Sequence, residues 1–319
     1  MAIRATAAAP VRLRRSERNM PRAELPQRGL HLEYEIHGDA AQPALILVMG
    51  LGLQLVSWPA GMIAALVAAG YRVIVFDNRD IGLSGSGPLA DYTPPPRALL
   101  AHLLHREFTP PYRVADMADD TLALADALGI ERFDVLGVSL GGMIGQTLAA
   151  LHPQRVRSLI SIMSSAGPRT APWPSIPLLL RFLQPPPKGG NFEARLKHFV
   201  SLMQALGHIT DPAELDALRA RLTLSLQRAY NPAGAARQLL AVMADPDRSQ
   251  QVATIRRPTL IVHGADDPLI PVGAAHHLKR LLPQARLEIL PRMGHYLPAA
   301  VLPELTGLCI EHLRNAATA

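Results

Sequence analysis

Short apolar runs alternate along this chain with longer stretches whose apolar residues recur at helical spacing. The short runs suit strands, and the longer stretches match the roughly 3.6-residue period of a helix. Strands that alternate with helices need crossover connections, which build a mainly parallel sheet covered on both faces. The pattern therefore predicts an α/β fold. The predicted strands cover residues 31–36, 44–49, 72–76, 133–136, 156–163, 259–262 and 286–290, and the clearest helices cover 60–69, 114–128 and 142–151.

One long block, residues 167–254, interrupts this alternation because it contains no strand pattern. Prolines crowd its first part, and helical patterns follow over 192–206, 212–229 and 233–243. Because the block lies between two predicted strands, we expect it to form a helical cap over one edge of the sheet. Long inserts of this kind commonly carry specificity.

The chain then divides into a core of residues 20–166 and 255–319 and a cap of residues 167–254. Several large apolar residues of the cap have two possible roles, because they either line a substrate cavity or pack against one another inside the cap. These residues are Trp173, Phe182, Leu183, Phe199, Met203 and Met243.

The most informative short motif is Gly137-Val138-Ser139-Leu140-Gly141, between a predicted strand and a predicted helix. A strand-to-helix turn this tight holds the serine in a strained conformation and exposes its hydroxyl, and the flanking glycines leave room for it. The backbone N–H of Leu140 begins the helix and points toward any negative charge that forms beside the serine. The motif predicts that Ser139 is a nucleophile; the alternative is a glycine-rich turn with an incidental serine.

A serine nucleophile needs a base and a third group that orients the base. A downstream predicted strand ends in a loop with two adjacent carboxylates, of which we choose Asp267 because it directly precedes Pro268. His295 follows the next predicted strand and completes the order serine, aspartate, histidine expected for such a site. Asp266 stays open as the alternative acid, and His263 is expected to hydrogen-bond the loop rather than do chemistry.

Together these motifs resemble the α/β-hydrolase superfamily, and the resemblance covers nearly the whole chain from about residue 20 onward. Residues 47–52 (Leu-Val-Met-Gly-Leu-Gly) lie where those enzymes place their oxyanion loop, usually written with His-Gly, and residues 77–84 look like their D-x-R-x-x-G-x-S turn. Met-Gly in the first loop and Arg-Asp in the second are similar to the aclacinomycin methylesterase-like branch. The resemblance implies an eight-stranded, mainly parallel sheet with helices on both faces, an inserted helical cap and carboxylic ester substrates.

By position, the resemblance also implies that the backbone N–H of Leu51 donates to the oxyanion together with that of Leu140. The departure from His-Gly removes a side chain that often braces this loop. Leu51, Ser139, Asp267 and His295 all follow predicted strand ends, so four separate loops converge on one edge of the sheet. Ligands of open α/β sheets bind beyond the carboxyl ends of the strands, which is where these loops lie.

The charge distribution bears on possible macromolecular partners. Residues 1–28 hold seven arginines and two glutamates, a balance of +5 out of a total of +6, so the rest of the chain carries only +1. Aromatic residues make up 4% of the chain, too few for a base-stacking surface. We therefore expect no nucleic-acid partner and interpret residues 1–19 as a disordered basic leader.

The sequence also limits compartment and cofactors. No stretch has the roughly 18 uninterrupted apolar residues of a membrane span, and the leader lacks the apolar run of a secretory signal. Cys309 is the only cysteine, which excludes an intrachain disulfide, and we expect it in the core of the last helix. The histidine pair His276-His277 lacks the helical spacing of metal ligands. We expect a cytoplasmic protein with no membrane partner, no metal and no other cofactor; the oligomeric state stays open.

The favoured function is that of a serine hydrolase, which cleaves a carboxylic ester through an acyl-enzyme on Ser139. The apolar content of the expected cap favours a small-molecule substrate that is hydrophobic and of medium or bulky size. The same residues suit C–C bond hydrolysis, lactone opening, cofactor-free perhydrolysis or acyl transfer, because fold and triad do not separate these reactions. A serine at position 139 disfavours haloalkane dehalogenase and epoxide hydrolase chemistry, which use aspartate there. A small-molecule receptor that retains the triad is the non-enzymatic alternative.

Overall fold

A computed structural model describes residues 21–89, 91–167 and 191–318, together with the isolated positions 170, 175, 177, 178, 181 and 184. The strands of the described residues are β1 (Arg22–Leu25), β2 (Leu30–His37), β3 (Ala44–Val48), β4 (Arg72–Phe76), β5 (Phe133–Val138), β6 (Val156–Ile162), β7 (Thr259–Gly264) and β8 (Arg286–Leu290). They form an eight-stranded sheet in the order β1-β2-β4-β3-β5-β6-β7-β8. β2 pairs antiparallel with β1 and β4, and the other neighbours are parallel. The predicted mainly parallel α/β sheet is confirmed.

Helices cover both faces of this sheet. In the described part of the chain they are α1 (Ala60–Ala68), α2 (Pro95–Leu103), α3 (Val114–Ala127), α4 (Leu140–Leu151), α5 (Phe192–Gly207), α6 (Pro212–Arg228), α7 (Pro232–Met243), α8 (Ser249–Val252), α9 (Gly273–Leu281) and α10 (Leu302–Ala317), with short 3-10 helices at Pro26–Arg28 and Leu55–Ser57.

Strand β3 shows how the two-residue period of a strand divides the core between the two faces. Its residues Ile46 and Val48 join an apolar cluster that includes buried residues of α3, α4 and α9. Leu45 and Leu47 point the other way, into a second cluster with α1 and α10. Cys309 of α10 is fully buried in that second cluster, in the apolar position expected for it.

Strand β1 and helices α2, α8 and α9 have no counterpart among the predicted elements. α2 begins at Pro95, and proline suits the first helical positions because the N–H groups there have no partner within the helix. β1 is only four residues long, and its Arg22 pairs with the buried Glu33 of β2 at 3.0 Å. Arg28 contacts Asp120 at 2.9 Å. Arg22 and Arg28, the last two arginines of the basic residues 1–28, therefore belong to the fold. Residues 1–19, the expected leader, lie outside the described residues.

Helices α5 to α8 follow β6 and precede β7, inside the block where a helical insertion is expected. Three of them start at capping residues, because the side chains of Asn191, Asp211 and Asn231 each accept a hydrogen bond from a backbone N–H of the first turn. α5 and α6 pack through an apolar cluster that includes Leu196 and Leu222. The division into core and cap remains a proposal, and Trp173, Phe182 and Leu183 lie outside the described residues.

The buried His312 of α10 makes the stability of this fold depend on pH. Burial, aided by the charge of Arg286, lowers the pKa of His312 to about 4, against roughly 6.5 in an unfolded chain. Between these values the unfolded chain binds the proton more tightly, so stability falls as pH falls. We expect the free energy of unfolding to drop by about 2 kcal/mol more in the wild type than in His312→Met between about pH 7 and pH 5.

Denaturant titrations of both proteins at the two pH values measure this difference. His276→Gln, which changes an exposed histidine of α9, is the matched control and should keep the pH dependence of the wild type. Equal pH dependence in the wild type and His312→Met would contradict the assignment.

Candidate active site

Ser139 alone forms the turn between β5 and α4, since β5 ends at Val138 and α4 begins at Leu140. Its φ of 56° and ψ of −117° lie in a region that residues other than glycine seldom adopt. The turn closes only because the neighbours lack side chains. A Cβ on Gly137 would lie 2.1 Å from the carbonyl oxygen of Gly141, and a Cβ on Gly141 would lie 1.9 Å from that of Val48.

The structure brings the three sequence-predicted side chains together. His295 Nε2 lies 2.9 Å from Ser139 Oγ, and His295 Nδ1 lies 2.7 Å from Asp267 Oδ2. An ionised carboxylate only accepts hydrogen bonds, so Nδ1 carries the hydrogen and donates it to Asp267. Nε2 then keeps its lone pair and accepts from the serine hydroxyl.

The environment of Asp267 keeps this carboxylate ionised. Burial raises the pKa of Asp267, but the charge and hydrogen bond of His295, with smaller contributions from His263 and the Ile270 N–H, hold it below its ordinary value. Its other oxygen, Oδ1, accepts hydrogen bonds from the backbone N–H groups of Leu269 at 2.9 Å and Ile270 at 2.8 Å. Asp266 is exposed, so Asp267 is the carboxylate in contact with the histidine.

Two further contacts fix the loops that carry the acid and the base. The backbone N–H of His295 donates to the carbonyl of Leu206 in α5 at 2.8 Å, which ties the histidine to the inserted helices. His263, fully buried, has its Nε2 2.7 Å from the carbonyl oxygen of Ile270. Burial lowers the pKa of His263 below its ordinary value, so it is neutral at pH 7 and contacts the loop as expected.

The loop after β3 passes directly beside Ser139. A Cβ built on Gly50 would lie 3.4 Å from the Cβ of Ser139, and the next residue, Leu51, lines the same cavity as the serine. Leu140 is the first residue of α4, where a backbone N–H has no acceptor within the helix. Leu51 and Leu140 therefore both lie beside Ser139, and their role as oxyanion donors stays a prediction.

Two side chains that sequence reasoning missed brace this loop. Asn78 Nδ2 donates to the carbonyl of Met49 at 3.0 Å, and the Gly52 N–H donates to Gln238 Oε1 at 2.9 Å. These bonds hold the backbone on either side of Leu51. Asn78 lies in the D-x-R-x-x-G-x-S turn and could have been suspected, whereas Gln238 belongs to α7 and carries no motif.

That turn also anchors the inserted helices to the sheet. Asp77, fully buried, accepts hydrogen bonds from the Leu55 N–H and from Arg228 of α6, at 2.8 and 2.5 Å. Asp80, also fully buried, pairs with Arg237 of α7 at 2.5 Å. The two ion pairs fix α6 and α7 relative to the ends of β3 and β4, and so fix one wall of the site.

Ser139 and His295 open into a cavity of about 260 Å³ between the sheet edge and the inserted helices. Its walls are mainly apolar and include Leu53, Met143, Leu218, Leu222, Met203 and Met243. Met203 and Met243 thus line the cavity as the sequence allows, and Phe199 lines an adjoining one. In the described ranges no group of three or more histidine, cysteine or acidic side chains could hold a metal ion, and none of the helices is long and apolar enough to cross a membrane.

The fold and these contacts define a class of protein: an α/β protein that joins a serine, a histidine and an aspartate by hydrogen bonds at the carboxyl edge of its sheet. The family model for the alpha/beta hydrolase fold matches residues 43–298. The chain belongs to the α/β-hydrolase fold family, as its motifs predict.

Individual relatives agree with this assignment. The chain is 30% identical over 298 residues to a rhodomycin D methylesterase of Streptomyces sp. (strain C5), covering 88% of this chain and 93% of that one. It is 30% identical over 275 residues to a putative carbamate hydrolase of Caulobacter sp. (strain K31), covering 83% and 88%. The crystal structure of a hydrolase from Pseudomonas aeruginosa superposes with a TM-score of 0.66 at 26% identity, covering 94% and 99%. The predicted resemblance to the methylesterase-like branch is confirmed.

The close approach around Ser139 predicts opposite effects for two glycine substitutions. Gly141→Ala places a Cβ against the backbone of β3, and we expect a loss of at least about 2 kcal/mol in the free energy of unfolding. The matched control, Gly307→Ala, adds a Cβ in α10 with nothing within 4 Å and should stabilise by roughly 0.5–1 kcal/mol. Denaturant unfolding of both variants tests the pair, and equal stabilities would contradict it.

Proposed function

We propose that this chain is a carboxylic ester hydrolase that uses Ser139 as its nucleophile, His295 as general base and Asp267 as the group that orients the base. The observation that carries the proposal is the continuous hydrogen-bonded series from Ser139 Oγ to His295 and on to Asp267, at 2.9 and 2.7 Å, beside a mainly apolar cavity. The named methylesterase relatives support the same reaction.

The reaction follows from the proton positions. His295 Nε2 takes the hydroxyl proton as Ser139 Oγ attacks the ester carbonyl, and Asp267 stabilises the imidazolium that forms. The carbonyl oxygen becomes an oxyanion that accepts hydrogen bonds from the N–H groups of Leu51 and Leu140. His295 then gives its proton to the leaving alcohol. Water, activated by the same histidine, releases the acid from the acyl-enzyme.

The cavity indicates the polarity of the substrate. Its apolar walls favour a hydrophobic ester, because an apolar group gains free energy on leaving water. The inserted helices supply part of this lining, including Arg221, so we assign them the role of a cap that sets specificity, with the chemistry placed on residues 20–166 and 255–319.

Carbamate hydrolysis is a second candidate, because several relatives at about 30% identity are named putative carbamate hydrolases. The same residues can attack a carbamate carbonyl. A panel of methyl esters and alkyl carbamates of graded size separates the two: we expect the highest kcat/KM on a methyl ester, and a carbamate optimum would replace this function.

Ser139→Ala should lower ester turnover by roughly 10³-fold or more, because it removes the attacking oxygen while leaving the turn intact. The variant should keep the circular dichroism spectrum of the wild type. A fluorophosphonate probe should label Ser139 in the wild type and nothing in the variant, as read by peptide mass spectrometry. Labelling of another serine, or wild-type turnover by the variant, would show that the nucleophile lies elsewhere.

The two adjacent aspartates give a matched pair of substitutions. Asp267→Asn should lower turnover by about 10³- to 10⁴-fold, because an asparagine no longer holds the required histidine tautomer. Asp266→Asn changes the exposed neighbour and should keep turnover within about twofold. Initial rates on one methyl ester measure both, and reversed losses would transfer the role to Asp266.

A further inference from the structure

Arg221 of α6 places a charged side chain in the wall of the otherwise apolar cavity that contains Ser139 and His295. Among the described residues that line this cavity, it is the one with a fixed positive charge. Its guanidinium lies 5.3 Å from the ring of Tyr296, the residue directly after His295. The charge is therefore on the same side of the cavity as the proposed base.

The nearby carboxylate neutralises Arg221 poorly. Nη2 of Arg221 is buried, makes no hydrogen bond and lies 3.5 Å from Oε1 of Glu214. Both oxygens of Glu214 are already used, since Oε1 accepts from the Tyr296 hydroxyl and Oε2 from the Ala299 N–H, each at 2.8 Å. Glu214 is thus held by other donors, and the guanidinium keeps unused hydrogen-bonding capacity.

Comparison with Arg237 shows how different this environment is. Arg237 hydrogen-bonds both oxygens of Asp80, at 2.9 and 2.5 Å, and that bond raises the pKa of Arg237. Burial instead lowers the pKa of Arg221, and the charge of Glu214 offsets only part of the effect. The charged form of Arg221 is under-compensated, so an anion that entered the cavity would stabilise it.

We propose that Arg221 binds a carboxylate of the substrate, so that the preferred ester is a half-ester of a hydrophobic dicarboxylic acid. The ester part rests on the proposed function; the carboxylate part rests on Arg221 itself. A planar guanidinium matches a carboxylate with two parallel hydrogen bonds. One fixed cation suits a monoanion better than a phosphate ester, whose second charge would find no partner in the described lining.

Binding to Ser139→Ala, which cannot turn over a substrate by the proposed route, tests the carboxylate site alone. Calorimetric titration with monomethyl adipate, pimelate and suberate is compared with the corresponding dimethyl esters, which keep the shape and remove the charge. We expect the half-ester of best-fitting length to bind at least about tenfold more tightly than its diester. Adding Arg221→Gln should shrink that ratio by about 10- to 100-fold.

Arg219→Gln is the matched control, because Arg219 lies on the same helix but is exposed and pairs with Glu193. It should keep the wild-type ratio. If Arg221→Gln fails to fold, Arg221→Lys retains a cation beside Glu214 and should reduce the ratio by at least about threefold, because it loses the planar pair of donors. No preference for any half-ester, or a preference that survives the Arg221 substitutions, would overturn the proposal.

Turnover by the enzyme with Ser139 intact separates the two hypotheses. Arg221-dependent binding without hydrolysis of either ester series would retain the carboxylate site and reject the ester hydrolase. Hydrolysis with equal kcat/KM on half-esters and diesters would retain the hydrolase and reject the carboxylate site. Support for both requires a higher kcat/KM on the half-ester, expressed mainly as a lower KM, and its loss in the Arg221 variants.

Discussion

The arrangement of the site depends on the close approach of the first turn of α4 to the ends of β3 and β5. Gly137 and Gly141 allow this approach because any Cβ there would overlap backbone oxygens. Ser139 is left at the apex with a positive φ, its hydroxyl directed at His295 and the first N–H of α4 beside it. A looser turn would separate the proposed nucleophile from the N–H groups of Leu51 and Leu140, whose value depends on being fixed before charge develops.

Buried ion pairs connect the turn after β4, residues 77–84, to the inserted helices. The pair between Asp77 and Arg228 is almost completely shielded from water, and such pairs contribute little net stability because both charges lose their hydration. The larger effect of these pairs is to fix the positions of the helices they join. Removing one partner would leave a buried charge without compensation, so the pairs favour a single position for α6 and α7. That position fixes the cavity wall and brings Gln238 to the loop that carries Leu51.

The order of strands and helices was predictable because the period of the apolar residues reports burial directly. Ser139, Asp267 and His295 were predictable for a related reason: the serine lies in a motif whose glycines have a steric function, and the other two follow strand ends. Helix α2 was not, since its initial prolines suggest a turn. The contacts of Gln238, Arg228 and Arg237 were not predictable either, because their partners lie far along the chain. Arg221 was missed because arginines on helices are usually solvated.

The inserted helices and the sheet contribute differently to the same cavity. The sheet edge provides Ser139, Asp267 and the loop of Leu51, groups to which we assign the reaction at the ester carbonyl. The insertion provides Arg221 and part of the apolar wall, groups to which we assign the choice between one ester and another. The carbonyl of Leu206 in α5 also holds the backbone of His295, so the insertion cannot move without affecting the proposed base. The proposed carboxylate site at Arg221 lines the same cavity as Ser139 and His295, so it lies close to the reacting groups. That proximity is the condition for binding at a remote substrate group to orient the ester for attack.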